Sequence, residues 1–492
     1  MASDSGTAAA VIPAARARSV ASAKLLLWTA IAAYAAGFAV LSILRHRAFS
    51  TGRFDLGNMV QAVWATAHGH FLQVTGLHGH KGSRLGVHFD PILAAFAPLW
   101  RLWPSPDLLL TAQAILVALG ALPVFWLARK HLSSERAGLG FALVYLLYPP
   151  VQWLTLNEFH PVSLACPFLL FAFWYLDEDR LVPFAIFALL ACTTKEQIPL
   201  VVAAMGVWYA LARGRRLAGA AIAVLGTAAT GLILGVVIPH FRQPGASSFY
   251  GRYQDVGGSP GGVTRTVVTH PLRVVEIVFD HRGVHYLLDL GLPLAGLFLF
   301  SPLTLLVALP ELALNLLSRT PAQTSIHFHY TAGEIPGLIA ASVLGAAWLC
   351  RHAPQRVFAV AAVAVGAAIA GNYAFGPIPL WRYVPGGSDF QAERTDVDHH
   401  DRVADRALRL IPASAVVSAT NTLGAHLSAR PRILSFPVLQ DATWVAYDRL
   451  HPSYEDKAVA PVLGAGGLAR LRRDPRWKLV FHQSGILLFR RR

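Results

Sequence analysis

The sequence predicts an α-helical polytopic membrane protein with a small C-terminal α/β domain, and three observations carry that reading. Only 14% of the 492 residues are charged and the mean hydropathy is +0.47, where soluble domains carry about 25% charged residues. The apolar residues fall in long blocks, such as Leu217–Pro239, which cross roughly 30 Å of hydrocarbon without a charge. The last stretch, after about residue 377, has no such block and alternates helix and strand patterns instead.

Eleven spans are expected near 25–44, 108–128, 138–156, 162–176, 181–194, 197–212, 217–239, 285–300, 302–318, 335–350 and 356–376. The first follows an Ala/Ser-rich tail (residues 1–24) with Arg16, Arg18 and Lys24. It resembles a signal peptide, but no small-residue cleavage site follows its core, so a retained span is expected. With that tail cytoplasmic, the loops carrying Arg129/Lys130/Arg136, Arg213/Arg215/Arg216 and Arg351/Arg356 all fall on the cytoplasmic side, as the positive-inside bias requires. The net charge of +15 is accounted for largely by such clusters, and no nucleic-acid partner is expected. The expected location is a bacterial plasma membrane, with the N-terminus inside and the C-terminus outside. Cys166, Cys192 and Cys350 sit in or beside apolar segments without paired spacing, which supports neither a disulfide framework nor a zinc knuckle.

The same count places the longer loops outside: 45–107, 157–161, 193–197, 240–284, 319–334, and the domain at 377–492. That domain is expected to hold a helix at Asp401–Leu410, a strand at Ala415–Thr420, a helix from about Thr422 and a strand at Arg432–Phe436. A terminal strand pair, Lys478–Phe481 and Ile486–Phe489, turns at Gln483-Ser484-Gly485.

Candidate chemistry concentrates in these loops. In the first, Asp55 precedes the run Met59–His70, whose apolar residues recur at helical spacing and suggest an amphipathic helix near the membrane surface. Asp55 is either an N-cap or a catalytic carboxylate, and the roles are compatible. The histidines at 68, 70, 78 and 80 match no common metal signature; a solvated loop and a metal or phosphate site both stay open. His88 and Asp90 share a face if the segment is extended, which Pro91 favours. Ionisable groups near membrane depth are costly and mostly functional, which singles out Glu158, His160, Lys195 and Glu196. Arg252 lies among tyrosines in a pattern suited to phosphate oxygens. His327 and His329, in His-Phe-His-Tyr330, share one face of an extended segment. Glu311 and Asn315, four apart, mark a polar contact inside the ninth span. No Walker A loop, GxGxxG fingerprint, HExxH helix or GxSxG elbow occurs, which argues against an ATPase, a dinucleotide enzyme, a zincin or a lipase of the usual kind.

Phe54-Asp55-Leu56-Gly57, Gln61, Trp64, His68-Gly69 and Leu85 to Pro91 resemble the bacterial membrane-protein family named domain of unknown function 2079. So do His160-Pro161, Lys195-Glu196, His329-Tyr330, Val417–Asn421 and His426-Leu427. That family is in turn similar to the GT-C-type membrane glycosyltransferases that take sugars from polyprenyl phosphates. The resemblance implies a polyprenyl-phosphate sugar lipid as partner and Asp55 as catalytic carboxylate, with Asp90 or Glu158 as a second acid orienting the acceptor or holding a divalent metal. An adjacent acidic pair, frequent in that class, is missing, since Leu56 follows Asp55. For substrate binding the expectation names His88, His160, Lys195, Glu196, Arg252, His327, His329 and Tyr330. The alternative function is a transporter or flippase for a lipid-linked or anionic solute.

Overall fold

A computed structural model describes residues 14–242, 249–388, 395–454, 456–457 and 467–492; residues 1–13 of the expected N-terminal tail and 243–248 of the loop 240–284 lie outside them. Among the described residues four helices are long and apolar enough to cross a membrane: Ala23–Arg47, Pro106–Leu132, Arg216–Phe241 and Pro354–Phe375. A helix pair, Glu135–Leu147 and Pro149–Leu156, bent by 48°, makes a fifth if it is one span. The break falls at Pro149-Pro150, where two backbone donors are missing. Shorter apolar helices, among them Pro161–Asp177, Leu181–Cys192, Ile198–Ala212 and Ile335–Cys350, pack between them.

The expected eighth and ninth spans differ most from a simple crossing. The helix His281–Gly291 gives way to short 3₁₀ turns at Leu292–Leu294 and Leu297–Phe300, then to helical pieces Pro302–Leu305 and Leu309–Leu316. Pro293 and Pro302 interrupt the amide ladder, and Ala295 and Gly296 turn the chain through positive φ of 53° and 64°. Asn315 lies buried here, its Nδ2 donating to the Tyr330 carbonyl and to the Tyr286 hydroxyl. The Tyr286 hydroxyl also donates to Glu334. Glu311 accepts from Gln197 at 3.2 Å.

The bundle core is built from large side chains such as Phe125, Phe141, Tyr145, Phe173 and Trp208. Small residues set the closest approach: a Cβ on Gly206 would lie 2.6 Å from the Gly219 carbonyl, so the helices Ile198–Ala212 and Arg216–Leu232 touch backbone to backbone.

The segment Asn58–Ala67 is a helix, but it is packed rather than lying free on a surface, with seven of its ten residues buried. Its apolar residues join a second core with Leu72, Val74, Leu93, Phe96 and Trp100. A two-stranded ribbon follows, β1 (Gln73–Thr75) antiparallel to β2 (Lys81–Ser83).

The C-terminal domain is a five-stranded sheet in the order β4-β3-β5-β7-β6. Strands β3 (Val417–Ala419) and β4 (Ile433–Ser435) are parallel, and β5 (Trp444–Asp448) runs parallel to β3 on its other side. The hairpin of β6 (Trp477–Gln483) and β7 (Ile486–Arg491) adds antiparallel to β5. Ser484 and Gly485 take the positive φ the tight turn requires. Helices His399–Leu408 and Asn421–His426 pack Val403, Ala407 and Leu423 on Val417, Ala419 and Leu488 of the sheet. Strand β5, central to this sheet, is not among the expected elements.

Candidate active site

Asp55 sits in a single π-helical turn, Arg53–Gly57, that enters the helix Asn58–Ala67. Gly52 occupies the cap position and provides no side chain, so other parts of the chain satisfy the free amides of the turn. Glu158 does most of this. Its carboxylate accepts from the Gly52 N–H at 3.0 and 3.1 Å and from the Leu56 N–H at 2.9 Å. Asn421 of the C-terminal domain accepts from the Phe54 N–H at 3.2 Å. The capping role left open for Asp55 is thus filled from two other segments, and its own carboxylate points elsewhere.

That carboxylate faces His160, with Oδ1 3.2 Å from Nε2. His160 Nδ1 lies 2.8 Å from the Asn157 carbonyl, which only accepts, so Nδ1 carries a hydrogen. A proton must therefore lie between Nε2 and Oδ1. Burial pushes the Asp55 carboxyl up, but the bond and charge of His160, with Arg84 and Lys195 beyond, hold it below the ordinary carboxylate range. The Asp55 side chain remains 42% exposed. It opens on a cavity of about 620 Å³ that Asp90, His88, His160, Lys195, Arg252, His329 and Tyr330 also line.

Five segments remote in sequence meet there: the first loop, the turns at 157–161 and 194–197, the stretch 249–256 and the turn at 329–330. All belong to loops that parity assigns to one side of the membrane. His160 stacks on His329 with ring centroids 3.8 Å apart. Burial, with the charges of His160 and Lys195, pushes His329 well below the usual imidazole range. Lys195 Nζ lies 5.3 Å from the centre of the Tyr330 ring, and the Arg252 guanidinium lies 5.8 Å from the same ring and 4.6 Å from that of Phe249. Among the described residues the Arg252 side chain makes long bonds, of 3.5 and 3.4 Å, to Gln323 and the Tyr330 hydroxyl. Neither cation has a carboxylate partner among the described residues.

On the opposite wall Arg84 Nε binds Asp90 Oδ2 at 2.8 Å, both side chains buried. Burial pushes Asp90 up to about 6 despite Arg84. Asp90 Oδ1 has no hydrogen-bond partner among the described residues, but it is buried from solvent. The Asp55 carboxylate, by contrast, is open to an acceptor hydroxyl or a divalent cation in the cavity. Asp90 is less extended than expected before a proline (φ −129°, ψ 51°), held by its clamp to Arg84.

Two of the expected site residues, Glu196 for binding and Glu158 as a second acid, act one step back. Glu196 accepts from His88 Nδ1 at 2.8 Å and from the Phe89 N–H at 3.0 Å, which fixes the His88 ring against Phe249. Burial, reinforced by Lys195 and Arg84, takes His88 down to about 4, while Glu196 stays below its ordinary range. Glu158 likewise supports the turn beneath Asp55, and burial beside the Asp55 charge pushes it up to about 8. His327 lies away from the cavity, packed edge-on to Trp153. The chain turns between His327 and His329, so they do not share an extended face.

Arg53 is the residue that sequence reasoning passes over. Fully buried, it donates to Ser435 Oγ at 2.6 Å and to the carbonyls of Thr75 and Ile433 at 2.8 Å, tying the Asp55 turn to β1 and β4. A Cβ on Gly57 would lie 2.6 Å from Ser428 Oγ, so the C-terminal domain presses directly on the turn. A charged residue two positions before the candidate aspartate is the available signal; its partners Ser435 and Ile433, 382 and 380 positions away, leave none.

A family model described as "Predicted membrane protein (DUF2079)" matches residues 45–488. Among solved structures the chain is similar to ArnT from Cupriavidus metallidurans bound to undecaprenyl phosphate, with a TM-score of 0.51, 13% identity, and 94% of this chain and 97% of that one covered. The apo state of the same protein gives a TM-score of 0.51 at 12% identity, covering 88% and 93%. The shared feature is the fold, of GT-C type. No curated protein matches the chain in sequence.

Proposed function

The chain belongs to the DUF2079 family of predicted membrane proteins, and from that premise we propose that it is a membrane glycosyltransferase, moving a sugar from a polyprenyl-phosphate donor to an acceptor hydroxyl at the extracytoplasmic face. The observation that carries the proposal is one cavity holding a histidine-paired carboxylate, Asp55, and two cations, Lys195 and Arg252, with no direct carboxylate partner among the described residues. A base and an anion site are what the transfer needs. The fold it shares with ArnT, whose structure holds undecaprenyl phosphate, supports a donor of that lipid class.

In the reaction, Asp55 accepts the proton of the acceptor hydroxyl while the oxygen forms a bond to the anomeric carbon. The bond from that carbon to the phosphate oxygen breaks, and the lipid phosphate leaves with the electron pair. Lys195 and Arg252 stabilise that charge. His160, anchored by the Asn157 carbonyl, orients the carboxylate. Asp90, clamped by Arg84, shapes the cavity wall beside the acceptor.

The test is release of labelled sugar from a panel of undecaprenyl-phosphate hexoses and pentoses by the protein in proteoliposomes. Transfer from one donor that Lys195→Ala and Arg252→Ala weaken supports the assignment. Movement of intact labelled lipid between leaflets without release would favour the transporter or flippase instead.

A further inference from the structure

Two histidines and a carboxylate that play no part in the reaction meet at the end of the central strand of the C-terminal sheet. His400 lies in the first turn of the helix His399–Leu408, Asp448 ends β5, and His451 follows in the next loop. One ligand atom from each lies within 4.8 Å of the others. His400 Nε2 is 2.8 Å from Asp448 Oδ2, and the two imidazole rings are 4.4 Å apart at their centres.

The hydrogen bonds around this cluster fix its chemistry. His400 Nδ1 is 2.7 Å from the Ser484 carbonyl and must donate to it. The Nε2 lone pair then faces a carboxylate oxygen, and two acceptors 2.8 Å apart need a positive species, a proton or a metal ion. Asp448 Oδ1 accepts from the Leu450 and His451 N–H groups at 2.9 and 3.1 Å, which leaves Oδ2 for the cluster. An imidazole tied through its far nitrogen to a carbonyl, beside a carboxylate held by amides, has the supporting bonds that orient metal ligands. His451 is exposed, and its ring takes no hydrogen bond among the described residues, so it is free to turn inward. Asp398 and Asp401 act electrostatically on both histidines and add negative potential.

We propose that His400, Asp448 and His451 bind a divalent transition-metal ion, with zinc the best match to two imidazoles and one carboxylate. Water completes the coordination, and the proton shared by His400 and Asp448 passes to solvent on binding. The ion fastens the first helix of the domain to its sheet. It also reaches toward the candidate active site: the Asp448 N–H donates to Thr420 Oγ1, and the neighbouring Asn421 holds the Phe54 amide.

The experiment uses the full chain in detergent, stripped with chelator, equilibrated with zinc chloride and desalted before the metal is counted by mass spectrometry. His451→Ala, at an exposed position, is the comparison, so that zinc on other histidines cancels. The wild type should retain one equivalent more than the variant and bind it roughly tenfold or more tightly. Zinc should also raise the Tm of the wild type and leave that of the variant unmoved. Equal zinc content and equal Tm response in the two proteins would overturn the proposal.

Discussion

His160 Nε2 lies 3.2 Å from Asp55 Oδ1, and its other nitrogen is already committed to the Asn157 carbonyl. The imidazole and the carboxylate therefore share a proton, and the bond and charge of His160 hold Asp55 below its ordinary range. Replacing His160 by Phe keeps a ring to stack on His329 but removes that bond. The expected outcome is a fall in kcat of about 10²-fold or more, the scale of general-base contributions. The alkaline limb of the pH profile should persist, and the acidic limb should move to higher pH as Asp55 loses its stabilising partner. An unmoved acidic limb would count against the pairing.

Lys195 and Arg252 each face the cavity with no direct ion pair to a carboxylate among the described residues. A charge-assisted bond to phosphate contributes about 1.5–3 kcal/mol. Lys195→Ala and Arg252→Ala should each weaken use of the lipid donor by roughly 10- to 100-fold, read as kcat/KM for that donor. Arg252→Lys should recover less than full activity, because a point charge lacks the guanidinium fork.

How much of this arrangement is legible in the sequence depends on the range of the contact. The loops that bring Asp55, His88, His160, Lys195, Arg252 and His329 together follow from parity, because alternate loops of a membrane bundle share a side. What each residue does there depends on partners that parity cannot name. Glu158 reads as a second acid, yet it serves backbone amides 102 and 106 positions away. His327 and His329 read as a pair until the turn between them separates the rings. The broken course of residues 292–309 is written in its prolines and glycine, but hydropathy averages over them. The docking of the C-terminal domain on the Asp55 turn, through Arg53, Asn421 and Gly57, pairs residues more than 360 positions apart, for which a single sequence carries no signal.

That docking yields a prediction of its own. Arg53→Met retains the stem but leaves Ser435 Oγ and the Thr75 and Ile433 carbonyls without their buried donor. Each unsatisfied group costs about 1–3 kcal/mol. The variant should melt several degrees lower and should lose activity even at temperatures where it is folded. Retained activity with a normal Tm would mean that the C-terminal domain does not position Asp55.

The His88–Glu196 pair gives a pH dependence of stability. His88 is lowered in the folded state to about 4 from an ordinary value near 6.5. Between those values the unfolded chain binds the proton and the folded chain does not, so stability falls as pH drops from 6.5 toward 4. The full effect of such a shift is about 3 kcal/mol. Melting curves from pH 7 to 4.5 should show a smaller loss in His88→Gln than in the wild type. Parallel curves would exclude a neutral buried His88 as a source of acid lability.

The central claim is that Asp55 takes the proton from the acceptor. Its most direct test is single-turnover transfer from a labelled polyprenyl-phosphate sugar by the wild type and by Asp55→Asn in the same proteoliposomes, with lipid binding measured in parallel. The account predicts at least about a 10³-fold loss of transfer in Asp55→Asn with lipid binding retained. Transfer at the wild-type rate by Asp55→Asn would contradict it.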